Sequence, residues 1–303
     1  MKACISIALI LSLVTAACLA GPSVVDATGR QVSLEQPARR IVGLAPHIVE
    51  NLFSAGAGDK LVGAVSYSDY PPPASKVRQV GSAHAWSLES VVALNPDLVV
   101  LWGSGNGVAA LPQLERLGLA VYVSEPRAFD DITKSIRDLG ILAGTNSIAQ
   151  KNARAFEQRI EQLRIRYGQQ QSLSVFYQIW NNPLQTVNGE HIISQVIELC
   201  GGRNIFAEEQ QLAPRISLES VLQADPQAIV ASGMDASRPE WLDAWRQYHS
   251  LQAVATDALL HIHPDLIQRP TLRIADGASD LCRKLDGVRP QFSGARFAAP
   301  SPH

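Results

Sequence analysis

The chain has 303 residues, longer than one hydrophobic core usually supports, so two domains are expected, and 46% hydrophobic residues suffice to build both. Its 26 Lys and Arg stand against 28 Asp and Glu, a net charge of −2. That balance excludes a general electrostatic attraction to nucleic acid or to an anionic membrane surface.

Met1-Lys2-Ala3 followed by an apolar run through Ala20 has the basic start, hydrophobic stretch and small residues of a secretory signal peptide, assigned to residues 1–20. Cleavage after Ala20 is one option. Cleavage after Ala17 is the other, and it leaves Cys18 at the new N-terminus as a lipid attachment site; Thr15-Ala16-Ala17-Cys18 lacks the aliphatic residue usual three places before that cysteine. Pro22 and the brevity of the run argue against an N-terminal membrane anchor. Export places the folded body in an oxidising compartment. Cys4 and Cys18 fall in the leader, which leaves Cys200 and Cys282 to pair as a disulfide, the alternative being two buried thiols.

After the polar opening Thr28-Gly29-Arg30, Arg40 to Ala45 reads as a buried strand and His47 to Ala55 as the helix after it. A strand is predicted over Val62 to Tyr67, a helix over Ser87 to Leu94, a strand over Asp97 to Trp102, a helix over Val108 to Leu117 and a strand over Leu119 to Ser124. Strands alternating with short helices imply parallel βαβ units and an α/β lobe over 21–127. From Asp130 to Tyr167 the pattern is helical, interrupted near Gly140 to Gly144, with Ala153, Phe156, Ile160 and Leu163 on one face. This is a helical bridge over 128–168.

The second series covers 169–290: a strand at Leu173 to Tyr177, a helix at Ile192 to Leu199, strands at Ala228 to Ala231 and Leu259 to His263, and a final helix at Thr271 to Leu285. A disordered tail is expected over 291–303. The fold predicted is α/β, two Rossmann-like lobes joined by a single long backbone helix, with a ligand cleft between the lobes. One stiff helix, unlike a set of flexible crossover strands, restricts opening to a few degrees and predicts a nearly preformed cleft.

An internal repeat supports the two lobes. Ser87-Leu88-Glu89-Ser90-Val91 with Pro96 and Val100 recurs as Ser217-Leu218-Glu219-Ser220-Val221 with Pro226 and Val230 at the same internal spacing. Each copy reads as a serine N-cap, a helix with Glu in its first turn, a turn and a strand. Helix starts favour Ser and Glu anyway, yet five consecutive identities with matched Pro and Val point to related units.

Ser66-Tyr67-Ser68-Asp69-Tyr70-Pro71, Leu88-Glu89, Ala93 to Val99, Trp102 with Gly105-Asn106, Leu199 to Phe206, and Asp265 with Arg269 together resemble the periplasmic cobalamin-binding proteins of ABC importers. More broadly the chain resembles the binding proteins with a helical backbone, which also serve haem, siderophores and metal chelates. The resemblance implies a monomeric, non-enzymatic receptor for cobalamin or a related corrinoid, partnered by a permease dimer whose ATPase is a separate subunit.

It also implies a site. Pro46, Tyr67 and Trp102, at the ends of first-lobe strands, become the aromatic wall of the cleft, the edge where parallel α/β sheets place ligands. Asp265 and Arg269, four apart, become a pair facing ligand amides or phosphate. The family's tryptophan before the Leu-Glu helix falls on Ala83, with Trp86 three places on; its two phenylalanines after the first second-lobe strand fall on Ile179 and Gln185, with Trp180 adjacent. Trp86 and Trp180 are taken as compensating. Glu89 and Glu219 match glutamates that dock the lobes onto permease arginines, a symmetric pair for a two-fold partner. No cofactor and no protein ligand to cobalt is expected.

Other readings remain. Gly105-Asn106-Gly107-Val108-Ala109-Ala110 matches a dinucleotide fingerprint, with Glu125 twenty residues on, but it follows the third βα element rather than the first and Pro126 crowds the acid. Haem or a ferric siderophore is the alternative ligand, with Tyr67 as an iron ligand for haem. A metal held by histidines alone is disfavoured because His261 and His263 alternate along a predicted strand and point apart, and His47, His84, His191 and His249 stand isolated. No metalloprotease, nucleophile-elbow or P-loop motif occurs.

Overall fold

A computed structural model describes residues 21–106, 108–233 and 237–293. The leader with Cys18 lies outside the described residues. The described chain opens on an antiparallel hairpin, β1 (Ser23–Val25) and β2 (Gln31–Ser33), whose turn is tied by the Asp26 carboxylate accepting from the backbone N–H of Thr28 and Arg30 at 2.9 and 3.1 Å.

The first lobe then alternates through β3 (Ile41–Gly43), α1 (Pro46–Ser54), β4 (Leu61–Ala64), α2 (Leu88–Val92), β5 (Leu98–Trp102), α3 (Gly103–Asn106), α4 (Leu111–Arg116) and β6 (Val121–Ser124). Its four strands form a parallel sheet in the order β4-β3-β5-β6. Two helices follow, α5 (Phe129–Ala143) and α6 (Asn146–Tyr167). The second lobe runs through β7 (Leu173–Gln178), α7 (Ile192–Leu199), β8 (Gly202–Asn204), α8 (Leu218–Ala224), β9 (Ala228–Ala231), α9 (Glu240–Asp243), α10 (Gln252–Ala255), β10 (Leu259–His261) and α11 (Pro264–Ile267). It is again a parallel sheet, ordered β10-β9-β7-β8. The chain closes with α12 (Ile274–Val288) and α13 (Pro290–Ser293). Residues 291–293 of the predicted disordered tail therefore continue the helical structure, and the rest lies outside the described residues.

The central strands read as unbroken apolar runs because both faces are buried: β3, β6 and β9 are covered throughout, and β5 is exposed only at Trp102. The predicted interruption of the bridge is Gly144, whose φ of 70° is the left-handed cap that stops α5. Helix α6 has 22 residues, about 33 Å at 1.5 Å per residue. Ala149, Ala153, Phe156 and Ile160 are buried along one of its faces. It is fastened to both lobes: Asn152 donates to the Ser54 carbonyl at 2.8 Å, and Arg159 pairs with Asp276 at 2.5 Å.

The sequence repeat is a structural repeat. Ser87 and Ser217 each accept from the backbone N–H three residues on, at 3.1 Å in both copies. Asn95 and Asp225, each one residue before the matched proline, take the same left-handed turn with φ of 44° and 42°. Cys200 and Cys282 are joined, tying the end of α7 to α12 with a Cα separation of 4.5 Å.

Several predicted elements differ in extent; the strand predicted to His263 ends at His261, because Pro264 opens α11 with His263 as its N-cap. The strand predicted to Tyr67 stops at Ala64, because Tyr67 turns the backbone to φ 63°. The helix predicted from Val108 begins as a 3₁₀ turn and becomes α-helical at Leu111, with Pro112 in its first turn. The last helix begins at Ile274 rather than Thr271, because Thr271 and Arg273 are engaged with the other lobe.

Candidate ligand-binding cleft

In each sheet the chain reverses direction of growth once: between β3 and β5 in the first lobe, and between β7 and β9 in the second. Open parallel sheets bind ligands outside the carboxyl ends of the strands at this crevice. Here the two crevices face one another. Trp102 at the end of β5 and Glu125 just past β6 share a cavity with His191, Gln268 and Pro270 of the second lobe.

On the first-lobe side Pro46 is the first residue of α1, and the Trp102 indole meets the His47 ring at 5.1 Å with an interplanar angle of 86°. Gly105 is fixed by that tryptophan: a Cβ there would fall 1.8 Å from Trp102 Cε3. Gly103 is similarly pressed against the Glu125 carboxylate, which accepts from the Ser104 N–H at 2.6 Å. Of the dinucleotide fingerprint, Gly105 is thus engaged by Trp102 and the acid by the Gly103-Ser104 backbone, and Gly107 lies outside the described residues. Tyr67 is 78% exposed in a left-handed conformation that disfavours bulky residues, a strain of order 1–3 kcal/mol. Trp86 is half-buried against the first-lobe core, bridged through its backbone to Gly81.

On the second-lobe side Trp180 stands just beyond β7, 38% exposed, with its indole N–H donating to the Asn182 carbonyl at 2.9 Å. It bridges to Gln185 through the backbone. Arg269 pairs with Asp265 at 3.0 Å as their spacing predicts, and also reaches across to Asp69 of the first lobe at 2.8 Å. His261 and His263 are not a pair: His261 Nε2 lies 3.2 Å from the Ser232 carbonyl, and His263 Nδ1 accepts from the Asp265 N–H at the start of α11.

Sequence reasoning missed the rest of the seam. Glu50, 2% exposed on α1, accepts from Thr271 Oγ1 at 2.7 Å and from Arg273 Nε and Nη2 at 2.8 and 2.7 Å. Arg273 also lies over the Tyr70 ring at 3.8 Å, and Asn51 donates to the Pro270 carbonyl at 3.1 Å. The one local signal was the spacing of His47, Glu50 and Asn51, polar residues sharing a helix face inside an apolar pattern.

The cavity between the lobes encloses about 60 Å³, far below the 300–1,000 Å³ or so of a typical ligand pocket. The lobes must part before a large ligand enters. A larger hollow of about 500 Å³ runs beside α6, lined by the start of α5, the outer turns of α6 and Gln195 of α7, with no strand end among its walls. Burial, then the nearby Arg127, lowers the His191 pKa to about 4; burial, then Arg269, lowers that of His47 to about 3. Both rings are neutral at physiological pH.

Two parallel α/β lobes, braced by one long helix and facing each other across a cleft at their strand ends, define the class of solute receptors with a helical backbone. Residues 41–266 match the periplasmic binding protein family, and the chain belongs to it. The chain is 36% identical over 249 residues to a vitamin B12-binding protein of Vibrio cholerae, covering 82% of this chain and 90% of that one. It is 34% identical over 253 residues to a vitamin B12-binding protein of Yersinia pestis, covering 84% and 88%. Among solved structures it is similar to the periplasmic vitamin B12-binding protein BtuF of V. cholerae, with TM-score 0.77, 35% identity and coverage of 84% of this chain and 98% of that one. The periplasmic haem-binding protein RhuT of Roseiflexus sp. RS-1 shares the fold at TM-score 0.70 and 20% identity, covering 83% and 99%.

Proposed function

We propose that this protein is the periplasmic receptor of an importer, taking up cobalamin or a related corrinoid between its lobes and delivering it to a membrane permease powered by a separate ATPase. The observation that carries the reading is the pair of facing sheet crevices, walled by Trp102 and tied together by the Arg269–Asp69 ion pair, in a chain 36% identical to a vitamin B12-binding protein over most of its length. A corrinoid offers a flat apolar ring, a rim of amides and one phosphodiester. Pro46, Tyr67, Trp86, Trp102 and Trp180 supply flat apolar surface for the ring. Asp265 and Arg269 supply an acceptor and a fork of donors for the rim and the phosphate.

Each lobe presents one exposed glutamate, Glu89 and Glu219, from identically capped helices. Two matched acids on related lobes suit a permease built with two-fold symmetry. In this reading the chain acts as a monomer and carries no catalytic group. Residues 1–20 direct export, Cys18 is the attachment point if the chain is lipidated, and the working units are a lobe over 21–127, the bridge over 128–168 and a lobe over 169–290.

The test is absorbance of the purified protein after incubation with cyanocobalamin and desalting. Retained corrin absorbance at one equivalent is expected. Retention of haem or a ferric hydroxamate in its place reassigns the cargo, and retention of none removes the proposal.

A further inference from the structure

Among the described residues, three buried side-chain atoms have no hydrogen-bond partner: His47 Nε2, Asn51 Oδ1 and Ser68 Oγ. A buried polar atom left without a partner destabilises the fold that holds it. All three lie at the seam. His47 and Asn51 share the face of α1 turned to the second lobe, where Asn51 reaches Pro270, and Ser68 immediately precedes Asp69, the partner of Arg269. Unspent polar atoms gathered at one interface point to a ligand that completes them when it separates the lobes.

His47 has the most specific geometry of the three. It is 4% exposed, one position into α1. Burial, then Arg269, opposes a proton on its ring, which leaves a neutral imidazole with a lone pair to give. Its plane stands at 86° to the Trp102 indole. A macrocycle lying flat on that indole would meet the imidazole edge-on, the orientation an axial nitrogen ligand takes toward the metal of a planar ring.

We infer that His47 is a binding residue of the cleft and that its Nε2 coordinates the metal of a bound corrinoid in place of water. The inference rests on the corrinoid reading above. With its proton on Nδ1, His47 gives the Nε2 lone pair to Co(III), the bound water leaves as neutral water, and the oxidation state and total charge are unchanged. The seam must open for this, since the closed cavity holds only about 60 Å³. Opening separates His47 and Asn51 from the Arg269 and Pro270 segment.

The experiment compares aquacobalamin, whose axial water exchanges, with cyanocobalamin, whose cyanide does not. Wild type, His47→Ala and His47→Gln are each titrated with both, following the corrin absorption bands and the heat of binding. In wild type the bands of bound aquacobalamin should move to those of the nitrogen-ligated form, and in both variants they should stay at the water-ligated positions. The variants should also lose about tenfold more affinity for aquacobalamin than for cyanocobalamin. The glutamine variant keeps side-chain volume, and a thermal melt followed by circular dichroism reports that each variant is folded. Wild type that binds aquacobalamin with unshifted bands, or variants that shift as wild type does, overturns the assignment and leaves the corrinoid reading intact. Wild type that binds neither compound overturns both.

Discussion

Glu50 and Arg273, 223 positions apart, close a two-point ion pair at 2.7 and 2.8 Å in which the carboxylate is 2% exposed and also accepts from Thr271. Among the described residues it is the best-buried ion pair between the lobes, and truncating one partner strands the other. Glu50→Ala should lower unfolding stability by about 3 kcal/mol. A urea midpoint unchanged from wild type would show that the pair adds nothing to the fold.

Tyr67 and Trp102 separate binding from stability. Tyr67 is exposed and in a left-handed conformation, so Tyr67→Gly should raise stability by a few tenths to about 1 kcal/mol while weakening corrinoid binding. Trp102→Ala should weaken binding by about tenfold or more and also lower stability, because the indole packs on Gly105 and His47. Calorimetric affinities equal to wild type in both variants would remove these residues from the cleft wall.

His191 sets an acid limit. Its pKa is lowered from 6.5 to about 4 by burial, so between those values the unfolded chain binds more protons than the folded one. Stability should therefore fall as pH drops from 6.5 to 4, by at most about 3 kcal/mol from this group, and lose nothing further from it below that range. The ring also accepts from the Ile193 N–H at the start of α7, a cap that asparagine can replace without titrating. In His191→Asn the urea midpoint should depend less steeply on pH across this window; the same slope as wild type would locate the acid sensitivity elsewhere.

The disulfide closes a separation of 82 residues. By the chain-entropy model its removal should cost about 4–5 kcal/mol as an upper figure. Cys200→Ser with Cys282→Ser should melt well below wild type, and a reductant should lower the wild-type melting temperature but not that of the double variant.

Glu89 and Glu219 are exposed, and neither lines the cavity between the lobes. Reversing both to Lys should abolish corrinoid uptake in cells while leaving affinity in solution within about twofold. Normal uptake by the double reversal would end the docking assignment.

The periodic parts of the fold were legible. Helix α7 and strand β9 fall where the apolar pattern puts them, and the Ser-Leu-Glu-Ser-Val repeat revealed the related lobes, because caps and turns depend on residues a few positions apart. What escaped depends on distance. Nothing near Glu50 announces Arg273, and nothing near Arg269 announces Asp69, since each pair forms only when two separately folded sheets come together. His47 was set aside as an isolated histidine because its meaning comes from Trp102 and Arg269, neither of them adjacent in sequence. The apolar pattern puts Tyr67 at the end of a strand, and the left-handed turn after Ala64 has no aromatic signature.

Helix α6 is fastened through Asn152 to Ser54 and, two turns further on, through Arg159 to Asp276. It is a fulcrum. Any parting of the lobes wide enough to admit a macrocycle must pivot there, so the span between Glu89 and Glu219 changes with it. Under the docking proposed above, a filled cleft is then a different ruler length between these two acids, one that a partner reads without touching the cargo.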